Sequence, residues 1–463
     1  MKKYLRYTIV KTVLACGIFT CAIACEPFVD VDPPQSQLPG ITVFENADTA
    51  KAALANCYAT LNSTVLLTGS IQGLSVTLGN YADELIPSGT NAGEQALYQN
   101  DLTAVNAGVA SFWNNAYNLI YSLNAITEGV EISTGILPAE KQNLIGQAIL
   151  IRSVVYFYLV NLFGDIPYTA TTDYTINAKL SKRTVAEVLQ QLENDFTAAY
   201  HYLPDEYSVT DRTIPNKSVA AAFLARLYLY MGKWDDARLR AGEIIGNSAN
   251  YNLESDLDKV FLKESSSTLW QLSPFSEGQP TADAQSFIFT SGPPPARALD
   301  PELVHAFEEG DLRRKHWIGE VTDGASTWYH AYKYKQVVPQ DVSAEYTIAL
   351  RLEELYLIRA EARTMLGDIA GAQQDLNMIR QRAGLNDTEA MTTEGLLSAI
   401  GYESRFEFFT EQGHRWFDLK RTGLANGVLA TVKPGWNETD ILWPLPQNEL
   451  LLNPSLLPQN PGY

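Results

Sequence analysis

The chain has 463 residues, of which 46% are hydrophobic, enough to bury a sizeable core. Its formal charge of −19 repels nucleic-acid phosphates and argues against a DNA or RNA partner. Its cysteines are Cys16, Cys21, Cys25 and Cys57, too few and too clustered at one end for a disulfide framework or a zinc cluster.

Lys2, Lys3, Arg6 and Lys11 precede an apolar run from Thr12 to Ala24, the pattern of a secretory signal, and the run is shorter than the ~20 residues that span a bilayer. It ends in Ala22-Ile23-Ala24-Cys25, a small-residue cleavage site directly before a cysteine, which resembles the lipobox of bacterial lipoproteins. Residues 1–24 are therefore expected to be a lipoprotein signal peptide and Cys25 the acylated amino terminus, palmitate included. Several acyl chains hold a membrane far more stably than one. Residues 25–40, with Pro27, Pro33, Pro34 and Pro39, read as a tether. No later stretch reads as apolar enough to cross a bilayer.

From there the dominant pattern is helical. Apolar residues recur at three- and four-residue spacing over Thr49 to Leu61, Ala139 to Leu162, Val185 to Leu203, Ser218 to Ile245 and Leu350 to Ala383. Ser218 to Ile245 aligns with Glu353 to Arg380 at a constant offset, pairing Ala225 with Ala360, Gly232 with Gly367, Ala237 with Ala372 and Ile244 with Ile379. This predicts an internal repeat of tetratricopeptide-like helix pairs, with a glycine turn between two helices that approach through small residues. Tyr228 fits the aromatic position of such a repeat, whereas Arg363 in the second copy does not. Each pair leaves an apolar face uncovered and needs neighbours.

Two stretches break the helical pattern. Residues 65–100 read as irregular. Residues 265–349 carry Pro274, Pro280, Pro293, Pro294 and Pro295 with short alternating stretches at Thr268 to Leu272 and Ser286 to Thr290, and read as a long insertion with short strands. An insertion of that length in a compact chain is commonly functional. The expected fold is mainly α: one domain over residues 41–463, a tetratricopeptide-like helix-pair scaffold with long irregular loops and a few short strands.

Several motifs together resemble one known family. They are Val31-Asp32-Pro33-Pro34 with Val43-Phe44-Glu45, Leu162-Phe163-Gly164-Asp165-Ile166-Pro167, Glu354-Leu355-Tyr356-Leu357-Ile358-Arg359-Ala360-Glu361-Ala362 and Gly413-His414-Arg415-Trp416-Phe417-Asp418. The terminal Trp443-Pro444-Leu445-Pro446, Asn453-Pro454 and Gln459-Asn460-Pro461-Gly462-Tyr463 complete the set. In this order they resemble the SusD/RagB family over nearly the whole mature chain. Ser404 and Gln412 stand where that family more often has Arg and an aromatic or Glu. The resemblance implies a lipoprotein with four tetratricopeptide-like helix pairs, on the outer face of the outer membrane, capping a SusC-like TonB-dependent barrel and binding glycans or, in some members, peptides.

The chemistry-bearing residues give the same direction. Glu403, Glu407 and Glu411 lie at successive helical turns, whereas a catalytic pair needs carboxylates opposed across a substrate. With Arg405, Arg415 and Arg421 they read as a salt-bridged seam. The histidines are scattered, no metal-ligand spacing or nucleophile elbow is present, and no cofactor is expected. Sugar capture needs flat apolar faces beside polar donors. Trp328, Tyr329 and Tyr332, which follow the turn-like Thr322-Asp323-Gly324-Ala325-Ser326, supply them, as do Tyr81 and Asp83 in the first irregular region. Arg297, Trp317 and Trp436 are weaker candidates, while Trp113, Trp234, Trp270 and Trp416 are expected in the core. The function expected is capture of an oligosaccharide for a transport partner without catalysis. The alternatives are a peptide cargo in the same complex, an extracellular glycoside hydrolase, and a purely structural scaffold.

Overall fold

The computed structural model describes residues 43–463, so the predicted signal peptide, Cys25, the tether and the Val31-Asp32-Pro33-Pro34 motif lie outside the described residues. Helices begin where a side chain satisfies backbone N–H groups that the first turn leaves free. Asn46 caps α1 (Ala47–Ser63) by accepting from the Thr49 amide. Then come α2 (Leu74–Tyr81), β1 (Leu85–Pro87), α3 (Ala92–Tyr98) and α4 (Ala107–Ile132), the last capped by Asn106. α5 (Pro138–Phe163) opens on a proline, where no N–H is required, and stops at Gly164 with φ of +74°. α6 (Val185–Tyr202) starts in a reciprocal capping box between Thr184 and Glu187.

The predicted repeat is present. α7 (Lys217–Tyr230) and α8 (Trp234–Ile245) form one pair, and α9 (Leu352–Met365) and α10 (Ile369–Arg382) the other. Gly232 and Gly367 occupy the two turns with φ of +67° and +82°, a conformation that costs a side-chain-bearing residue. Ala225, Ala237, Ala360 and Ala372 are fully buried where the paired helices meet. Where the first copy packs Tyr228, the second has Arg363, which reaches Asp375 on the neighbouring helix at 2.8 Å, so an ion pair replaces a ring contact. Helices α4 to α10 each pack against the next in sequence, and α1 packs on α4 and α5. These eight helices make four pairs; most pack around one apolar core, while α10 and the outer face of α9 pack with Leu396 and Ile400 of the helix Thr393–Glu407 in a separate cluster.

Strands are few: β2 (Thr268–Leu272), β3 (Arg297–Leu299), β4 (Ile318–Thr322), β5 (Thr327–Ala331) and β6 (Thr347–Arg351). β2 and β6 form an antiparallel ladder at the two ends of the predicted insertion, with Thr268 opposite Arg351 and Leu272 opposite Thr347. β1, β3, β5 and β4 form a second sheet in that order, tying the first irregular region to the insertion. A second apolar cluster, centred on Phe261, Phe287, Trp317, Tyr334 and Phe409, sits beneath that sheet.

Four expectations need correction. Residues 65–100 are not irregular throughout, because α2 is buried along all eight of its residues. Ser286 to Thr290 is not a strand; Ser286 and Phe287 close the short helix Ala282–Phe287, capped by Thr281. α5 is long and apolar enough to cross a bilayer, contrary to the reading of the mature chain, but it is packed inside the scaffold. The carboxylates of α11 (Thr393–Glu407) and the turn after it do not pair with Arg405, Arg415 and Arg421. Glu407 instead meets Arg351 and Arg382 at 2.5 Å and Arg313 at 3.1 Å, Glu403 meets Arg313 at 2.6 Å, and Glu411 meets Lys333 and Arg351. These partners come from three distant stretches of chain, which helical spacing does not encode. Arg421, on α12 (His414–Arg421), pairs with Glu361 and Asp418.

Candidate functional site

Helical spacing places Leu54, Tyr58 and Asn62 on one face of α1, and Asn143, Leu144 and Gln147 on one face of α5. Between these faces and the chain from Leu272 to Gln285 lies a cleft of about 880 Å³. That volume suits a small-molecule or oligosaccharide site. The Tyr58 hydroxyl donates to Gln147 Oε1 at 2.8 Å, and Gln147 Nε2 donates to Asn143 Oδ1 at 3.0 Å. This chain of bonds fixes the side chains of the wall before any ligand arrives. Asn62 Nδ2 donates to the Ser273 carbonyl at 2.8 Å and pins the opposite wall to α1.

The loop beyond Ser273 is held at its far end as well. The Gly278 N–H donates to Ser343 Oγ at 2.8 Å, and its carbonyl accepts from Gln336 Nε2 at 2.8 Å and from the Gln340 amide at 2.9 Å. Gly278 has φ of +81°, and a Cβ there would stand 1.9 Å from the Gln340 carbonyl, so only glycine fits. Between these anchors Phe275 projects from the cleft wall with 91% of its surface exposed. The remaining lining is rich in amides and hydroxyls, including Gln279, Gln285, Ser70, Ser208 and Thr213. Its charged members are Lys51 and Glu140, which pair with each other at 2.5 Å. A clamped exposed ring beside fixed neutral hydrogen-bonding groups can hold a molecule with flat C–H faces and many hydroxyls.

The residues predicted from sequence fall elsewhere. Trp328 and Tyr329 lie on β5, directly beyond the turn after β4, half-buried, and Tyr332 follows that strand; none of them lines the cleft. The Trp328 ring covers Gly292 so closely that a Cβ there would be 2.0 Å away. Tyr329 packs edge-on to His305, with the Arg314 guanidinium 5.2 Å from its ring. Tyr332 lies beside His330, under Lys335.

Tyr81, Asp83 and Arg297 are buried and bonded within the protein, and none of them lines the cleft. Tyr81 is fully buried, edge-on to Trp416 at 4.8 Å and to Trp443 at 5.7 Å, and its hydroxyl donates to the Asp440 carbonyl at 2.8 Å. Asp83 accepts two bonds from Arg415, at 2.8 and 2.7 Å, and a third from Arg405. Burial alone would raise its carboxyl, but the two guanidinium groups hold it below its usual 3.8. Arg297 is buried and grips Glu94 with two bonds at 2.9 and 2.7 Å. Of the weaker candidates, Trp317 is in the core with its Nε1 donating to the Leu257 carbonyl, and Trp436 is half-buried against Trp416. Trp113, Trp270 and Trp416 are core residues as expected, and Trp234 packs at the core's edge. Tyr81→Phe is expected to cost about 1 kcal/mol in denaturant unfolding, the worth of one buried hydrogen bond, with glycan affinity unchanged. A fall in affinity without a fall in stability would return Tyr81 to the site.

Sequence reasoning did not select Tyr58, Asn143, Gln147 or Phe275. The available signal for Phe275 is a lone aromatic in the turn-rich Ser273-Pro274-Phe275-Ser276-Glu277-Gly278, directly after a strand. Among the described residues no group of three His, Cys, Asp or Glu side chains is placed to hold a metal ion.

Comparison with known proteins matches both halves of the chain. Residues 28–229 match a family described as "Starch-binding associating with outer membrane", and residues 315–463 one described as "SusD family". "SusD-like protein P2" of Formosa agariphila is 28% identical over 99% of this chain and 100% of its own length. A SusD homolog from Bacteroides thetaiotaomicron superposes with a TM-score of 0.78 at 18% identity, covering 93% of this chain and 100% of that one. A "Laminarin binding SusD-like protein" superposes with a TM-score of 0.76 at 22% identity, covering 91% and 100%.

Proposed function

The chain belongs to the SusD/RagB family, and on that premise we propose that it is a surface lipoprotein of the outer membrane. In this reading it captures an oligosaccharide in the cleft between α1, α5 and the insertion and passes it to a SusC-like TonB-dependent barrel. Residues 1–24 are the signal, Cys25 carries the acyl chains, 25–40 are the tether, and 41–463 form a single domain with ligand-binding insertions near 65–100 and 265–349. The observation that carries the reading is Phe275, a fully displayed ring clamped beside a wall of fixed amides. An exposed aromatic gains little from folding and much from stacking on a sugar face. The laminarin-binding neighbour and the starch-binding description of the family support a glycan as cargo.

Binding without turnover fits this cleft. Glycoside hydrolysis uses two carboxyl groups facing each other across the bond. Here the wall carries Glu140, already engaged by Lys51. Affinity electrophoresis over a panel that includes laminarin, starch and xylan tests the reading, followed by calorimetry on oligosaccharides of the retained polymer. Phe275→Ala is expected to weaken binding by roughly five- to tenfold while leaving the melting temperature unchanged. Unaltered affinity in both Phe275→Ala and Gln147→Ala would remove the cleft as the site, and release of reducing ends would make the protein an enzyme.

A further inference from the structure

The cleft's charge is unlike that of the molecule around it. The chain as a whole carries −19, yet among the described residues the lining has one cation and one anion, paired at 2.5 Å. Nearby carboxylates are also engaged. Glu277, two residues past Phe275, accepts from the Ser343 amide at 2.8 Å and from the Tyr346 hydroxyl at 3.3 Å. Asp283, behind the wall, is buried and accepts from Thr347 Oγ1. What the lining offers a ligand is therefore neutral: the amides of Gln147, Asn143, Gln279 and Gln285, hydroxyls, and the Phe275 ring. Amides present a donor and an acceptor side by side, which matches adjacent hydroxyls on a sugar ring.

From this we infer that the cleft selects uncharged oligosaccharides and turns away those bearing uronate or sulfate groups; the inference rests on reading the cleft as the glycan site. Among the described residues an anionic sugar entering it meets no unpaired cation, because Lys51 already serves Glu140. Its charge leaves bulk water without a counter-charge, and the surrounding negative potential opposes its approach. Glu140 acts here as a specificity residue: it offsets Lys51, the cation among the described lining residues that would attract acidic sugars.

The test is calorimetry on the mature chain with matched hexasaccharides. The neutral probes are laminari-, cello-, malto- and xylohexaose, and the acidic ones are oligogalacturonate, oligomannuronate and a sulfated hexasaccharide. Binding is expected for a neutral probe alone, with a Kd that moves by less than about twofold between about 0.05 and about 0.5 M NaCl. Glu140→Gln, which frees Lys51, is expected to create oligogalacturonate binding that salt abolishes and that Lys51→Met removes again. The inference falls if the native protein binds an acidic probe as tightly as any neutral one, or if Glu140→Gln gains nothing. If in either case Phe275→Ala still weakens sugar binding, the cleft stands as the glycan site and only the charge selection is lost. If no sugar responds to Phe275→Ala, or only a charged peptide binds, the cleft reading and the inference fall together.

Discussion

Glu407→Ala is expected to lower unfolding stability by roughly 3–5 kcal/mol, the cost of removing one partner from a buried ion network. Its carboxylate is shared by Arg313, Arg351 and Arg382, and each of these four side chains is almost fully buried. Burial by itself would raise this carboxyl, but the three guanidinium groups hold it well below its usual 4.5. Alanine leaves three desolvated cations sharing fewer counter-charges. The measurement is a urea midpoint at constant slope, and a loss under about 1 kcal/mol would mean that water compensates the network.

Glu407 and buried carboxylates at other ion pairs set a pH dependence. Glu407, Glu411, Glu354, Asp418 and Asp83 are all depressed, so the folded state binds their protons more weakly than the unfolded state. Their contribution is present above the usual values of 4.5 and 3.8 and is lost as pH falls through the depressed folded values. Burial pushes Glu84 and Asp283 the other way, each up to about 7, so these two subtract from stability as pH rises toward that value. Acid unfolding of the native chain is expected to steepen below pH 4, and Glu407→Ala should flatten that limb.

Cys25→Ala gives the second large effect, on location rather than stability. Each buried methylene of an acyl chain contributes about 0.8 kcal/mol to membrane binding, so on the proposal that Cys25 carries the chains its loss is expected to abolish anchoring. No radiolabelled palmitate should enter the variant, and the uncleaved precursor should accumulate. Its body is expected to fold as before, with an unchanged melting temperature. Label persisting on the variant would refute Cys25 as the acylated residue.

Much of the scaffold can be read from residue spacing. The repeat of α7 and α8 in α9 and α10 follows from alanines at contact positions and one glycine per turn, all local features. α4 carries the same apolar spacing in Val109, Phe112, Trp113, Ala116, Leu119, Ile120 and Leu123, yet it is absent from the helices expected above. Asn114, Asn115, Asn118 and Asn124 interrupt it with residues that disfavour helix interiors, and burial of the apolar face overrides them. The site was less legible for a different reason. Whether Tyr81 or Phe275 meets solvent depends on contacts far away in sequence: Trp416 and Trp443 enclose the first, while Asn62 and Ser343 hold the loop that displays the second. Aromatic content identifies the candidates, and only the folded chain sorts packing from display.

The ladder of β2 against β6 brings the start and finish of the insertion to one place, where they join before the chain re-enters the helices at Leu352. Between Leu272 and Thr347 the chain carries the Phe275 loop, and it is joined to the rest again where β3 pairs with β1 and where Arg313 and Lys333 meet Glu407 and Glu411. Substitutions on the Phe275 loop can then change what the cleft offers while these joins and the helical frame stay in place.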